Sequence, residues 1–97
     1  MGLTAADRRA LEALIKAAAR DPRVPVELAR KMVPGQGDIE EFAYGLVSGM
    51  VLGNFMALFE SRNGRQADRD ETADVLATVG ARMPLLRKAI MKHLELR

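Results

Sequence analysis

From Phe42 to Phe59 the chain runs eighteen residues without a formal charge, bounded by Glu41 and Glu60. No strand-like alternation interrupts the run. A helix that is apolar on every side belongs either in the middle of a protein core or in a bilayer, because water would otherwise wet both of its faces. The run is near the short end of the about 17 to 25 residues that a bilayer span takes, and Tyr44, Ser48 and Asn54 inside it lower its hydrophobicity. The expected reading is therefore a central helix covered by amphipathic neighbours. The alternative is a small membrane protein with a span at about 42–59, whose C-terminal side Arg62 and Arg65 would hold in the cytoplasm, since the preceding charges, Asp38, Glu40 and Glu41, are acidic.

Within the run Gly45, Gly49 and Gly53 recur every four residues, so they fall on one narrow stripe where another backbone can come close. Each glycine in a helix interior costs about 0.5 to 1 kcal/mol relative to alanine, on the order of 2 to 3 kcal/mol for the three, so tight packing against something is expected. Two partners fit the stripe. One is the thin alanine face of the first helix, Ala10, Ala13 and Ala17; the other is the same stripe of a second copy about a two-fold axis. Gly45, Gly49 and Gly53, with Leu46, Leu52 and Met56, are the expected helix-packing or dimer interface.

Caps and prolines delimit the other helices. Thr4 with Asp7 three residues on predicts a start, Leu11, Leu14, Ile15 and Ala18 give one apolar face, and Pro22 and Pro25 end the helix near Arg20, which sets it at 4–20. Pro25 is the expected first residue of a short helix over 26–33, with Leu28, Ala29, Met32 and Val33 as its apolar set. Pro34-Gly35-Gln36-Gly37 reads as a loop. Asp38 with Glu41 and the stop at Gly64 set the central helix at about 39–62. Asp68 with Glu71 opens a helix over 68–83 carried by Thr72, Val75, Leu76, Val79, Gly80 and Met83. Pro84 breaks it before a last helix over 84–95, with Leu85 or Leu86, Ala89, Ile90, His93 and Leu94 inward. The expected fold is all-α, a small helical bundle of four or five helices around a central apolar helix, in a single domain over 1–97.

Composition agrees. At 97 residues, with 48% hydrophobic and 29% charged side chains, one core is within reach and a second is not. Such a chain buries only about 60 to 70% of its unfolded surface and has no cysteine for a disulfide, so association into a homodimer is an expected source of stability. The absence of cysteine also fits a reducing compartment. Charges at Asp7, Arg8, Arg9, Glu12, Lys16 and Arg20 leave no signal-peptide pattern at the start, so a cytoplasmic location is expected.

The chemistry-bearing residues point away from catalysis. His93 is the only histidine and has no partner at metal-ligand spacing, so neither a metal nor a cofactor is expected. Asp38, Glu40 and Glu41 are explained by capping and the helix dipole, and Asp68, Asp70, Glu71 and Asp74 by a solvated helix start. Ser48 has no nucleophile-elbow surroundings and is expected to bond back to a carbonyl one turn earlier. Gly35-Gln36-Gly37-Asp38 lacks the lysine and hydroxyl of a phosphate loop. No catalytic residue is assigned.

The net charge of +2 does not by itself call for nucleic acid, yet Arg82, Arg87, Lys88, Lys92 and Arg97 face only Glu95 in the last third of the chain. The stretch from Thr72 to Ile90 resembles a loose helix-turn-helix with Gly80 at its turn, so Arg82, Arg87, Lys88 and Lys92 are the expected contacts if DNA is bound. The leading expectation is a non-enzymatic helical protein–protein interaction module, an adaptor, regulator or small chaperone, whose partners are a second copy of itself and another protein. DNA binding ranks second and the membrane reading third.

Overall fold

Helices begin in this chain where a short polar side chain takes over a backbone donor that the first turn leaves without a partner. The computed structural model describes residues 2–32 and 38–95. It contains α1 (Ala5–Arg20), α2 (Arg23–Met32), α3 (Ile39–Asn63), α4 (Arg69–Ala81) and α5 (Met83–Glu95), with no strand among the described residues. Thr4 Oγ1 accepts the Asp7 N–H at 3.1 Å, and Asp38 Oδ1 accepts the Glu41 N–H at 3.1 Å. At α4 the cap is reciprocal: Asp68 Oδ1 accepts the Glu71 N–H at 2.8 Å while Glu71 Oε1 accepts the Asp68 N–H at 2.9 Å. Gly64 ends α3 at φ +69°, and its N–H donates to the Glu60 carbonyl at 2.8 Å.

The prolines sit differently from expectation. α2 starts at Arg23, whose N–H donates to Asp21 Oδ1 at 3.1 Å, so Pro25 is its third residue rather than its first. The position tolerates proline because the first four N–H groups of a helix have no acceptor within it. α4 ends two residues before Met83, at Ala81, and α5 begins at Met83 with Pro84 in its first turn, so the break falls at Arg82. The expected loop at Pro34 to Gly37, and Val33 before it, lie outside the described residues.

α3 is the central helix, packed by α1, α2 and α5. Its side chains Ala43, Tyr44, Val47, Val51, Phe55 and Phe59 are buried against Leu11 and Ile15 of α1, Val26 and Ala29 of α2, Val75 and Val79 of α4, and Leu86 and Ile90 of α5. The Phe55 and Phe59 rings lie 6.2 Å apart at 47°, a tilted aromatic pair. Of the apolar set expected for α2, Ala29 is buried as expected, but Leu28 and Met32 are exposed, and Pro25 and Val26 turn inward instead. Leu76 of α4 and Leu85 of α5 are exposed too. α4 is also tied to the N-terminus, where the Leu3 N–H and Arg8 Nη2 both donate to Asp74 Oδ2, at 2.9 and 2.8 Å. The chain passes so close there that a Cβ on Gly2 would lie 1.9 Å from that oxygen.

The molecule is elongated. Its radius of gyration is 14.3 Å and its extents are 43 × 21 × 18 Å, whereas a compact chain of this length has a radius of about 12.5 Å.

Three outcomes follow from this packing. Phe55→Ala is expected to lower unfolding free energy by about 3 to 5 kcal/mol in a denaturant titration, and Gly64→Ala by about 1 to 2 kcal/mol because alanine must adopt positive φ. The third concerns acid. Arg65, bonding both Glu71 oxygens at 2.8 and 2.9 Å, and then the Asp68 N–H, lower the Glu71 pKa from 4.5 to about 2. A lowered folded-state pKa contributes stability that is complete above the unfolded value of 4.5 and disappears as pH falls toward about 2. Thermal midpoints measured across that window should fall less steeply for Glu71→Gln than for the unchanged chain.

Candidate functional site

On a helix, residues four apart drift slowly round one side, so Gly45, Gly49 and Gly53 lie together, flanked by Phe42, Leu46, Leu52 and Met56. All three glycines are exposed, the four flanking side chains are half-buried, and nothing described lies within 4 Å of where a Cβ would stand on any of the three. The large residues of α3 occupy the opposite side. Since burial of apolar area grows with side-chain size, the neighbouring helices gather on Tyr44, Val47, Val51, Phe55 and Phe59 and leave the glycines uncovered.

This corrects two expectations. α3 is covered on one side only: a third of its most apolar eighteen-residue window is buried. The alanine face of α1 is not the partner of the stripe either, because α1 turns Leu11 and Ile15 inward and leaves Ala13 and Ala17 exposed. Beside the stripe, Met50 is 43% exposed. It borders a shallow, mostly apolar groove of about 220 Å³ that Leu14, Ala17 and Ala18 of α1, Pro25 of α2 and Val47 of α3 also line.

Two hydroxyls on α3 are buried without a hydrogen-bond partner, Tyr44 Oη and Ser48 Oγ. The back-bond expected for Ser48 is therefore not made. Tyr44 instead carries Arg87 over its ring, with the guanidinium carbon 4.5 Å from the centroid.

The four basic residues expected to meet DNA divide into two pairs. Arg82 donates from Nε and Nη2 to the two oxygens of Glu12, both at 2.9 Å, and Arg87 donates to the two oxygens of Glu41 at 2.6 and 3.0 Å. Each forked bond holds its carboxyl below the usual range. Lys88 and Lys92 are exposed, with no ion-pair partner among the described residues. Gly80, the expected turn, lies inside α4, and a single residue separates α4 from α5, fewer than the three or four that join a helix-turn-helix. The oxygens of Asp38, Glu40 and Glu41 come within 4.8 Å of one another, but Asp38 caps α3 and Glu41 holds Arg87. His93 Nε2 lies 3.7 Å from Glu27 Oε2.

Sequence spacing carried no sign of the forked pairs, since their members stand 70 and 46 residues apart. Comparison with known protein families, curated proteins and solved structures finds no match.

Tyr44→Phe removes a hydroxyl that makes no hydrogen bond while keeping the ring under Arg87. The melting temperature is expected to hold or rise, because a buried unpaired polar group costs about 1 to 3 kcal/mol.

Proposed function

We propose that this chain is a non-enzymatic helical interaction module, an adaptor, regulator or small chaperone, that associates as a homodimer through the glycine side of α3 and offers a helical surface to another protein. The observation that carries the reading is the uncovered stripe. Three interior glycines weaken α3 by on the order of 2 to 3 kcal/mol, no described atom closes on them, and backbone contact with another helix offsets such a loss. Surface area supports it. The chain exposes 6140 Å², where a compact chain of its mass exposes about 5,500 Å². The difference, roughly 650 Å², approaches the ~800 Å² that each partner contributes to a standard interface.

Two copies of α3 crossing near Gly49 bring the stripes into contact and seat Leu46, Leu52 and Met56 round the crossing point. Close small-residue crossings run at about −40 to −50°. That angle splays the helix ends, so Asp38 and Glu60, which lie on the same side as the glycines, do not confront their counterparts. The bilayer reading has less in its favour, although α3 has the length and an eighteen-residue window of mean hydropathy 1.6. Lipid could surround α3 only if α1, α2 and α5 left it.

Sedimentation equilibrium at concentrations on the order of tens of micromolar should return about twice the 10.6 kDa chain mass. A Cβ at Gly49 would meet nothing within 4 Å, so Gly49→Leu should stay folded and sediment as a monomer. A monomeric unchanged chain, or a dimer indifferent to Gly49→Leu, overturns the reading.

A further inference from the structure

We infer that the outer face of α1 docks the phosphate backbone of nucleic acid. Ion pairing in this fold is one-sided: Glu12, Glu41, Glu71 and Asp74 are each held by an arginine from elsewhere in the chain. Arg9, Lys16 and Arg20, in contrast, are exposed and form no ion pair among the described residues, although Lys16 lies close enough to Glu12, one turn earlier, to help lower its carboxyl pKa. Their spacings of seven and four residues align them in one row, on the side of α1 opposite the buried Leu11 and Ile15. At 1.5 Å per residue the row is about 16 Å long. Ala13 stands within it and lets a backbone approach.

Over its first half the row borders an open depression of about 490 Å³, which Arg8 and Arg82 also line. Glu12 is the one carboxylate in that lining, and it is already bonded to Arg82 at 2.9 Å. Of the four cations in the lining, Arg8 pairs with Asp74 and Arg82 with Glu12, which leaves Arg9 and Lys16 as its excess positive charge.

A row of this length exceeds a single phosphate and suits a polymer of them. A bilayer surface suits it less, because the face presents alanine and no large apolar side chain to enter the acyl region. α1 has no Asn, Gln, Ser or aromatic residue, so no side chain on it reads adenine or stacks on a base, and Arg9, Lys16 and Arg20, strung along one straight row, are assigned to phosphates. The site shares only Arg82, at the rim of the depression, with the basic set suggested by the sequence, in which Arg82 and Arg87 are committed to Glu12 and Glu41. It does not depend on self-association.

The test is fluorescence anisotropy with a labelled duplex of about 20 base pairs and arbitrary sequence. Three phosphate contacts give a slope of log K against log salt near −2.7, so affinity should fall about 40-fold between 50 and 200 mM salt. Arg9→Ala, Lys16→Ala and Arg20→Ala combined place the best helix former at three exposed positions. That variant should keep its melting temperature while affinity drops more than about tenfold and the salt slope flattens. Lys88→Ala with Lys92→Ala should hold affinity within about twofold, since phosphates on α1 do not reach those side chains. Absence of saturable binding at low salt, full binding by the α1 variant, or equal binding to polyglutamate or to phosphatidylserine vesicles overturns the inference.

Discussion

Contact between the large side chains on one side of α3 and the apolar faces of its neighbours decides where every other helix can go. Tyr44, Val47, Val51, Phe55 and Phe59 follow one another at one step of three residues and then steps of four, so they sweep one side of a 25-residue rod, and α1, α2 and α5 settle along it. On its other side three glycines interrupt the large side chains Phe42, Leu46, Leu52 and Met56. Had the glycines been leucines, helices could have packed all round, and the molecule would have been rounder than its 43 Å length and 14.3 Å radius of gyration. Elongation and the uncovered stripe thus have one cause, the unequal distribution of bulk about α3.

Local signals in the sequence were reliable where one residue controls one backbone group. Thr4, Asp38 and Asp68 each begin a helix because their oxygens meet an N–H three residues on, and Gly64 ends one because it reaches positive φ. These features made the all-α fold, the central helix and most boundaries legible. Orientation was less legible. Pro25 resembled a first residue because it is favoured there, but proline is accommodated throughout the first turn, and Asp21 supplied the actual start two residues earlier. In α2 the expected face joins Ala29 to Leu28 and Met32, whereas in the fold Ala29 turns inward with Val26; both groupings have helical spacing, and only the neighbouring helices decide between them.

The lack of charge in the central run was read as a requirement for cover on all sides. Composition over a window cannot distinguish a helix apolar because of large side chains all round from one in which a third of the positions, six of the eighteen here, are glycine, alanine or serine. Glycine, alanine and leucine all count as uncharged, but they differ in how much area they can bury. A count by volume on each side of the helix would have shown the asymmetry at Gly45, Gly49 and Gly53. The long-range ion pairs had no comparable signal. Arg82 with Glu12 and Arg87 with Glu41 are consequences of tertiary placement, and they turn one cation at the α4–α5 break and one of α5 from expected ligand contacts into fasteners of the bundle.

The two proposed surfaces have a geometric relation that bears on how they could act together. α1 and α3 pack through their inward faces, Leu11 and Ile15 on one and the large side chains on the other. The glycine stripe therefore points away from α1, and the row of Arg9, Lys16 and Arg20 points away from α3. A second copy seated on the stripe leaves the row open and adds another on the far side of the assembly. At about 8 to 10 Å between packed helix axes, the rows of a dimer stand roughly 30 Å apart and face in opposite directions. One duplex cannot curve tightly enough to meet both, since DNA remains stiff over about 150 base pairs. A dimer of this kind would link two phosphate backbones rather than clamp one, and avidity would arise only where two segments lie side by side.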